Sequence, residues 1–190
     1  MDSFDSLEKE IESIREEYYS ESGKNRIFKK QQKYDCAKQV ASQISLDVLL
    51  QRTCWIDSKT TYIHVDYPIL KTYASPDVFE HISDHVIRAC AFVKDQKNEF
   101  TVILNFDGFT VSAAERYKNL IEAFCNKCFA LNIGLSDSLQ KFIICNCPSA
   151  MESIKPILGP FMLEEVKAKI VLVNKRDTPA YLASIAAIIS

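Results

Sequence analysis

The chain has 190 residues and a mass of 21.6 kDa, which suits one domain with a core plus a small appendage. Hydrophobic residues make up 47% and charged residues 25%, which excludes a disordered chain, a collagen-like repeat and a coiled-coil rod. The net charge of −2 and the pI of about 6.0 supply no overall positive field, so we expect no nucleic-acid partner.

The cysteine count and the amino terminus both favour an intracellular protein. Seven cysteines, an odd number at irregular spacing, are not typical of the disulfide framework of a small secreted domain. Residues 1–21 carry eight acidic and two basic side chains, so they resemble neither a signal peptide nor a transit peptide. No segment reaches the roughly 18 apolar residues of a transmembrane helix. We predict a cytoplasmic protein whose only membrane contact would be peripheral.

Residues 1–54 predict an N-terminal helical extension. One helix carries an apolar stripe at helical spacing, formed by Leu7, Ile11, Ile14 and Tyr18. After a break at Ser22-Gly23, a second helical segment runs from about residue 27 to residue 50. We therefore expect a helical hairpin. Its stripe packs on its own chain, or it mediates self-association or the binding of a protein partner.

The charges of this hairpin are segregated. The formal count is −6 over residues 1–21 and +5 over residues 24–38. In one interpretation the two helices attract each other and their charged faces are solvated. In the other, the basic segment binds anionic lipid head groups, each base contributing about 1 kcal/mol near a charged surface. The residues of this candidate membrane surface are Lys24, Arg26, Lys29, Lys30 and Lys33.

From residue 55 onward, apolar runs of strand length alternate with amphipathic helical segments. The predicted strands cover residues 62–67, 100–106, 141–147 and 168–173. The predicted helices cover residues 77–95, 112–131 and 150–158, and a closing helix begins at Thr178. Because crossover helices join parallel strands by right-handed connections, residues 55–190 predict an α/β domain. We expect a mainly parallel sheet with crossover helices on both faces.

Three groups of residues could carry chemistry, and we interpret each as structural. Four cysteines, at positions 125, 128, 145 and 147, fall on an apolar helix and strand, where a thiol behaves as a small hydrophobic group. His81 and His85 lack a third metal ligand at a suitable spacing. Asp66 and Asp107 end strands, where turn chemistry alone accounts for an aspartate. We therefore expect no metal, no cofactor and no catalytic residue, and predict that the protein is not an enzyme.

Four segments of the second region resemble the CRAL-TRIO family, the lipid-binding fold of phosphatidylinositol-transfer and α-tocopherol-transfer proteins. They are residues 101–110, 139–148, 154–162 and 167–171. The first resembles the family's apolar strand and Asp-x-x-Gly turn, with Asn105 where Asp is usual and Gly108 in register. The second resembles a strand ending in Asn-x-Pro, here Asn146 and Pro148. The last two resemble the family's Lys-Pro-Phe-Leu helix and the Lys-Ile strand after it.

The resemblance implies a hydrophobic ligand held between the sheet and a mobile helix, here residues 151–162. The residues expected to contact lipid are Phe142, Ile144, Ile154, Leu158, Phe161 and Met162. Gly159-Pro160 would break this helix and permit a hinge. Our first hypothesis is non-catalytic binding of a hydrophobic small molecule, above all a phospholipid, with lipid transfer or membrane recruitment. The alternative is a CRAL-TRIO-like or STAS-like module without a pocket, which docks a protein partner.

Overall fold

The elements of the fold are taken from a computed structural model of the chain. It describes residues 2–23, 27–57, 59–131 and 133–189, with side chains for residues 5–23, 27–57, 59–131 and 133–185. The helices are α1 (Asp2–Ser22), α2 (Lys29–Gln43), α3 (Leu46–Thr53), α4 (Tyr67–Tyr73), α5 (Phe79–Lys97), α6 (Val111–Leu131), α7 (Leu135–Ser138), α8 (Met151–Leu158), α9 (Glu164–Lys167) and α10 (Thr178–Ile189). The strands are β1 (Cys54–Ile56), β2 (Tyr62–Asp66), β3 (Phe100–Asn105), β4 (Leu139–Cys147) and β5 (Ile170–Asn174).

The strands of the described residues form one sheet in the order β1-β2-β3-β4-β5. The pairs from β2 to β5 are parallel, and β1 is antiparallel to β2. The nearly unbroken apolar sequences of β3 and β4 suit parallel strands that are covered on both faces. The predicted mainly parallel α/β domain is therefore confirmed. The strand β1 was not predicted, because three residues are too few to show a period.

The two faces of the sheet are covered by different kinds of helix. Strands in sequential order with right-handed crossovers place their connecting helices on one side. On that side α5, α6 and α8 pack over residues such as Ile63 and Ile144. On the other side α10 packs through Tyr181 and Ile185 in a cluster with Ile143. Both faces carry helices, as predicted, but the second is covered by the C-terminal helix rather than by a crossover helix.

The described residues of the N-terminal region form three helices instead of the predicted two. The helices α1 and α2 pack together as the expected hairpin. The predicted second helix is interrupted at Ile44, whose backbone is extended. The chain then resumes as α3, where the backbone N–H of Leu49 donates a 3.1 Å hydrogen bond to the carbonyl of Ser45. Ser45 makes no side-chain capping hydrogen bond, so the division into two helices is marked by the extended backbone at Ile44 rather than by a serine cap.

One buried cluster joins the N-terminal helices to the α/β domain. Ile11 and Ile14 of α1 are 3% and 7% exposed and belong to the cluster that contains Tyr67 and Ile154. Leu7, Ile11 and Ile14 of the predicted stripe therefore pack on their own chain, whereas Tyr18 is half-buried outside this cluster. The boundary predicted between residues 1–54 and 55–190 falls inside β1 and divides two sequence patterns that share one core.

Candidate functional site

The segment predicted to close a lipid pocket is α8 with the turn that follows it. An α-helix covers Met151–Leu158 and contains Pro156 in its interior. A 3-10 turn then covers Gly159–Phe161. Gly159 keeps a helical backbone with φ −55° and ψ −37°, so the chain tightens from α to 3-10 geometry at the predicted break. At the position of the predicted hinge, the α-helix therefore changes to a 3-10 helix.

Three of the predicted lipid contacts lie in the large core. Ile154 and Leu158 of α8 are 1% and 5% exposed, and Ile144 of β4 belongs to the same buried cluster. Side chains of α8 and of the sheet therefore fill the space in which an acyl chain was expected. A ligand at this place would have to displace them.

The other three predicted lipid contacts lie at the margins of that core. Phe142 points to the same sheet face as Ile144 but packs in a neighbouring cluster with Phe100. Phe161 and Met162 are half-buried, and the Lys118 Nζ atom lies 5.7 Å from the centre of the Phe161 ring. The predicted residues therefore form an edge that runs from the core to the surface rather than one enclosed wall.

The predicted head-group residues divide into three sets. Lys24 and Arg26 lie outside the described residues. Lys29 and Lys30 are exposed on the first turn of α2. Lys33, one turn later, lines a cavity.

That cavity, of about 250 Å³, lies where α1, α2, α4 and α6 meet. We call it the basic cavity, because each of these helices contributes one cationic side chain to it. The four cations are Arg15, Lys33, Lys71 and Arg116. The other lining residues are Tyr19, Cys36, Tyr67, Thr72, Gly108 and Thr110. None of these lining residues, all of which the structure describes, carries a carboxylate.

The charges of the basic cavity are only partly balanced. Arg15 pairs with Glu12 at 2.6 Å, but no ion pair among the described residues includes the other three cations. Arg116 is 8% exposed, and its guanidinium carbon lies 5.3 Å from the centre of the Tyr117 ring. The pKa of Lys33 is lowered by desolvation and, after that, by the positive charges of Arg116, Lys29 and Lys71.

The strand-end carboxylates take part in a hydrogen-bonded row across the sheet. The Asn146 Nδ2 atom donates to Asn105 Oδ1 at 2.8 Å, and Asn105 Nδ2 donates to Asp66 Oδ1 at 3.5 Å. Desolvation raises the pKa of Asp66. Asp107 instead accepts a 2.6 Å hydrogen bond from Lys175 Nζ. These contacts tie strand ends together, and the structural interpretation of both aspartates stays a prediction.

The histidines and cysteines singled out in the sequence lie on helices and strands. His85 Nε2 donates to the backbone carbonyl of Cys54 at 3.0 Å, and His81 is exposed. Cys125 and Cys128 are half-buried on α6. Within the described ranges, no three histidine, cysteine or acidic side chains come together as a metal site would require.

Sequence reasoning missed three of the four cations in the basic cavity. Arg15, Lys71 and Arg116 belong to helices that are distant in the sequence, so no spacing links them. One signal was available, because Arg116 follows Ala113 by three residues and precedes Leu120 by four on the apolar face of α6. A cation at such a position marks a buried charge that needs a partner.

Comparisons with known proteins agree with the architecture. A family model of the CRAL/TRIO domain matches residues 55–187, which is more than half of the chain. A search of curated proteins gives no match. No helix in the described part of the chain has both the length and the apolar character needed to cross a bilayer. On the family match and the mainly parallel α/β fold, the chain belongs to the CRAL/TRIO family.

Proposed function

We propose that this protein is a non-catalytic module that binds a phospholipid between α8 and the sheet. CRAL/TRIO domains generally bind or transfer lipophilic molecules without catalysing a reaction. The observation that carries the proposal is the apolar edge formed by α8 and its following turn. It begins at Ile154 and Leu158 in the core and continues through Ile157, Phe161 and Met162, which are half-buried. Such an edge offers acyl chains a continuous apolar path from the surface inward.

Ligand entry on this path requires α8 to move away from the sheet. Pro148 precedes the helix and Gly159-Pro160 follow it, so both ends carry residues that interrupt regular helix. The acyl chains would replace the contacts of Ile154 and Leu158 with the core. Each buried CH₂ group contributes about 0.8 kcal/mol, which offsets the loss of those contacts.

Recruitment to an anionic bilayer is the second part of this proposal. Lys29 and Lys30 are exposed at the start of α2. Directly before them, Ile27 and Phe28 are 84% and 67% exposed. Apolar side chains beside bases suit the membrane interface, where the apolar groups insert and the bases contact head groups. Transfer of lipid would follow from opening of α8 at that surface.

The test is lipid capture by the full-length protein. Native mass spectrometry of freshly purified protein should show an added mass of one phospholipid. Labelled phosphatidylcholine and phosphatidylinositol should pass from vesicles to the protein. Phe161→Asp places a carboxylate on the proposed path and should reduce uptake at least about tenfold, or about 1.4 kcal/mol. Phe129→Asp is the matched control, because Phe129 is 58% exposed on α6. The absence of both retained lipid and uptake would reject the proposal.

A second candidate is a docking module without a pocket. The observation that favours it is the shared burial of Ile144, Ile154 and Leu158, which already fill the space behind α8. This candidate predicts no retained lipid and no uptake from vesicles. It also predicts that Phe161→Asp and Phe129→Asp behave alike in the uptake assay.

A further inference from the structure

The buried guanidinium of Arg116 is the starting observation. Its side chain is 8% exposed in the basic cavity, and the ion pairs of the described residues leave it without a carboxylate. Arginine carries five N–H donors and stays charged in proteins, so a shift in its protonation cannot relieve the cost of burial. A buried cation without a counterion costs several kcal/mol. An anion from outside the chain would therefore stabilise the buried guanidinium of Arg116.

The other cations of the basic cavity increase that requirement. Lys33 and Lys71 reach the same cavity from α2 and α4, and Arg15 reaches it from α1. The pKa of Lys33 is lowered first by desolvation and then by the nearby charges of Arg116 and Lys71, as their common place in the cavity implies. An anion bound among them would turn these repulsions into attractions.

The loop before α6 adds to the positive character of the cavity. Gly108 and Thr110 line the cavity next to the amino end of this helix, where the helix dipole favours an anion. The backbone N–H of Ala113 donates to Thr110 Oγ1 at 3.2 Å, which leaves the threonine hydroxyl proton available for a ligand. A β-carbon at Gly108 would lie 3.3 Å from Lys71 Nζ, so glycine lets the ammonium group approach this loop.

The number of charges and the size of the cavity select the class of anion. With Arg15 paired to Glu12, one guanidinium and two ammonium groups remain, which is more charge than one carboxylate would neutralise but matches a phosphate monoester or a polyphosphate. The volume of about 250 Å³ corresponds to roughly eight water molecules. This space accommodates a phosphate group and part of the organic group bonded to it. We propose that the basic cavity binds the phosphate groups of a multiply charged ligand. This site is separate from the apolar path behind α8.

Such a ligand would also hold two parts of the chain together. Arg15 and Lys33 belong to the N-terminal helices, whereas Lys71 and Arg116 belong to the range matched by the family. A phosphate bound by both pairs would bridge them, and binding to the folded state alone raises stability. Thermal unfolding therefore gives a readout beside direct binding.

The experiment titrates the full-length protein by calorimetry with pyrophosphate and with inositol trisphosphate. In parallel, the protein is mixed with phosphatidylcholine vesicles that contain or lack phosphatidylinositol bisphosphate. We expect saturable binding of at least one phosphate probe and a rise in the midpoint of thermal unfolding. Tight binding of the soluble trisphosphate identifies a free phosphorylated ligand. Binding only to phosphoinositide vesicles identifies a lipid head group, and both results support the site.

Variants test whether the named cations are responsible. Lys71→Gln should weaken phosphate binding about tenfold, since it removes one charge-assisted contact of about 1.4 kcal/mol. Lys97→Gln is the matched control, because Lys97 is exposed at the end of α5 outside both the cavity and the proposed membrane surface, and it should change binding less than about twofold. Lys71→Gln leaves the apolar path intact, so uptake of phosphatidylcholine should not change.

Two results would overturn the proposal. One is a wild-type protein that binds none of the phosphate probes saturably. The other is an equal loss of affinity in Lys97→Gln and Lys71→Gln, which would indicate general charge attraction. Arg116→Gln is a supporting variant only, because its buried position makes failure to fold a separate outcome.

Discussion

The hydroxyl of Tyr34 donates a 2.6 Å hydrogen bond to the backbone carbonyl oxygen of Arg116. The bond joins α2 of the N-terminal region to α6 of the α/β domain. Both residues are buried, and the Tyr34 ring lies edge-on to Phe79 with ring centres 6.3 Å apart. This contact therefore fixes the backbone of the residue whose guanidinium lines the basic cavity.

Removal of this hydroxyl should weaken the fold. Tyr34→Phe keeps the ring and deletes the donor, while the Arg116 carbonyl retains its helical hydrogen bond. We expect a loss of about 0.5–1.5 kcal/mol in the free energy of unfolding, measured in urea. Tyr181→Phe is the control, because no hydrogen bond of the Tyr181 hydroxyl occurs among the described residues. Equal stabilities of the two variants would show that the bond contributes nothing.

Lys33 should destabilise the protein when no anion is present. Its pKa in the folded state is lowered from 10.5, so the folded state binds this proton less tightly than the unfolded state does. The cost is present in full below the folded pKa and disappears as the pH rises through that value toward 10.5. Lys33→Gln should therefore stabilise the ligand-free protein near neutral pH, by less than about 1 kcal/mol since the side chain is exposed.

Unfolding of both proteins at increasing pH and at increasing salt checks this prediction. The advantage of Lys33→Gln should vanish above pH 10.5, and salt should reduce it only in part, because desolvation is the larger cause of the lowered pKa and ions screen only the repulsion. In the presence of a saturating phosphate probe the order should reverse, with the wild type the more stable. A variant that is less stable than the wild type under all conditions would contradict the like-charge interpretation.

Replacement of Asn146 by glycine should cost more stability than the same replacement of Asn98, which has a similar backbone conformation. Asn146 and Asn98 have φ values of 51° and 61°, in the left-handed region. The Asn146 amide also bonds to Asn105 at 2.8 Å, whereas Asn98 ends α5 as an exposed residue. Glycine suits this backbone, so Asn98→Gly should leave stability nearly unchanged. Asn146→Gly should lose about 1 kcal/mol with the amide bond.

Alanine at the same two positions separates backbone strain from hydrogen bonding. At either position alanine should be less stable than glycine by about 1 kcal/mol, because a β-carbon disfavours the left-handed conformation. Urea unfolding of the four variants measures both effects. If glycine is tolerated equally at both positions, the hydrogen-bonded row along the strand ends does not stabilise the sheet.

Long segments with a regular apolar period were the easiest parts of the fold to predict from the sequence. The strand β4 and the long helix α6 were predicted nearly to their ends, because apolar runs and helical stripes are local patterns. The break at Ile44 was missed, because the apolar spacing of α2 continues into α3. The resemblance in the strand-end motifs identified the family that the comparison with known proteins then showed.

The candidate sites were harder to predict from the sequence than the fold was. The stripe of α1 was recognised, but periodicity could not say whether its partner was this chain or another. Likewise the apolar face of α8 was visible, but not that its side chains pack together with Ile144. Of the basic cavity only Lys33 was singled out, and for a membrane surface rather than for a cavity.

By itself the sequence determined the class of fold, the order of its main elements and the family. These depend on hydrophobic period, turn residues and short motifs, which act over a few neighbouring positions. Only the tertiary structure decided that the N-terminal helices share the core, that α8 lies against filled space and that four cations converge. The reason is that these features join side chains from helices distant in sequence, and only packing sets which of them meet.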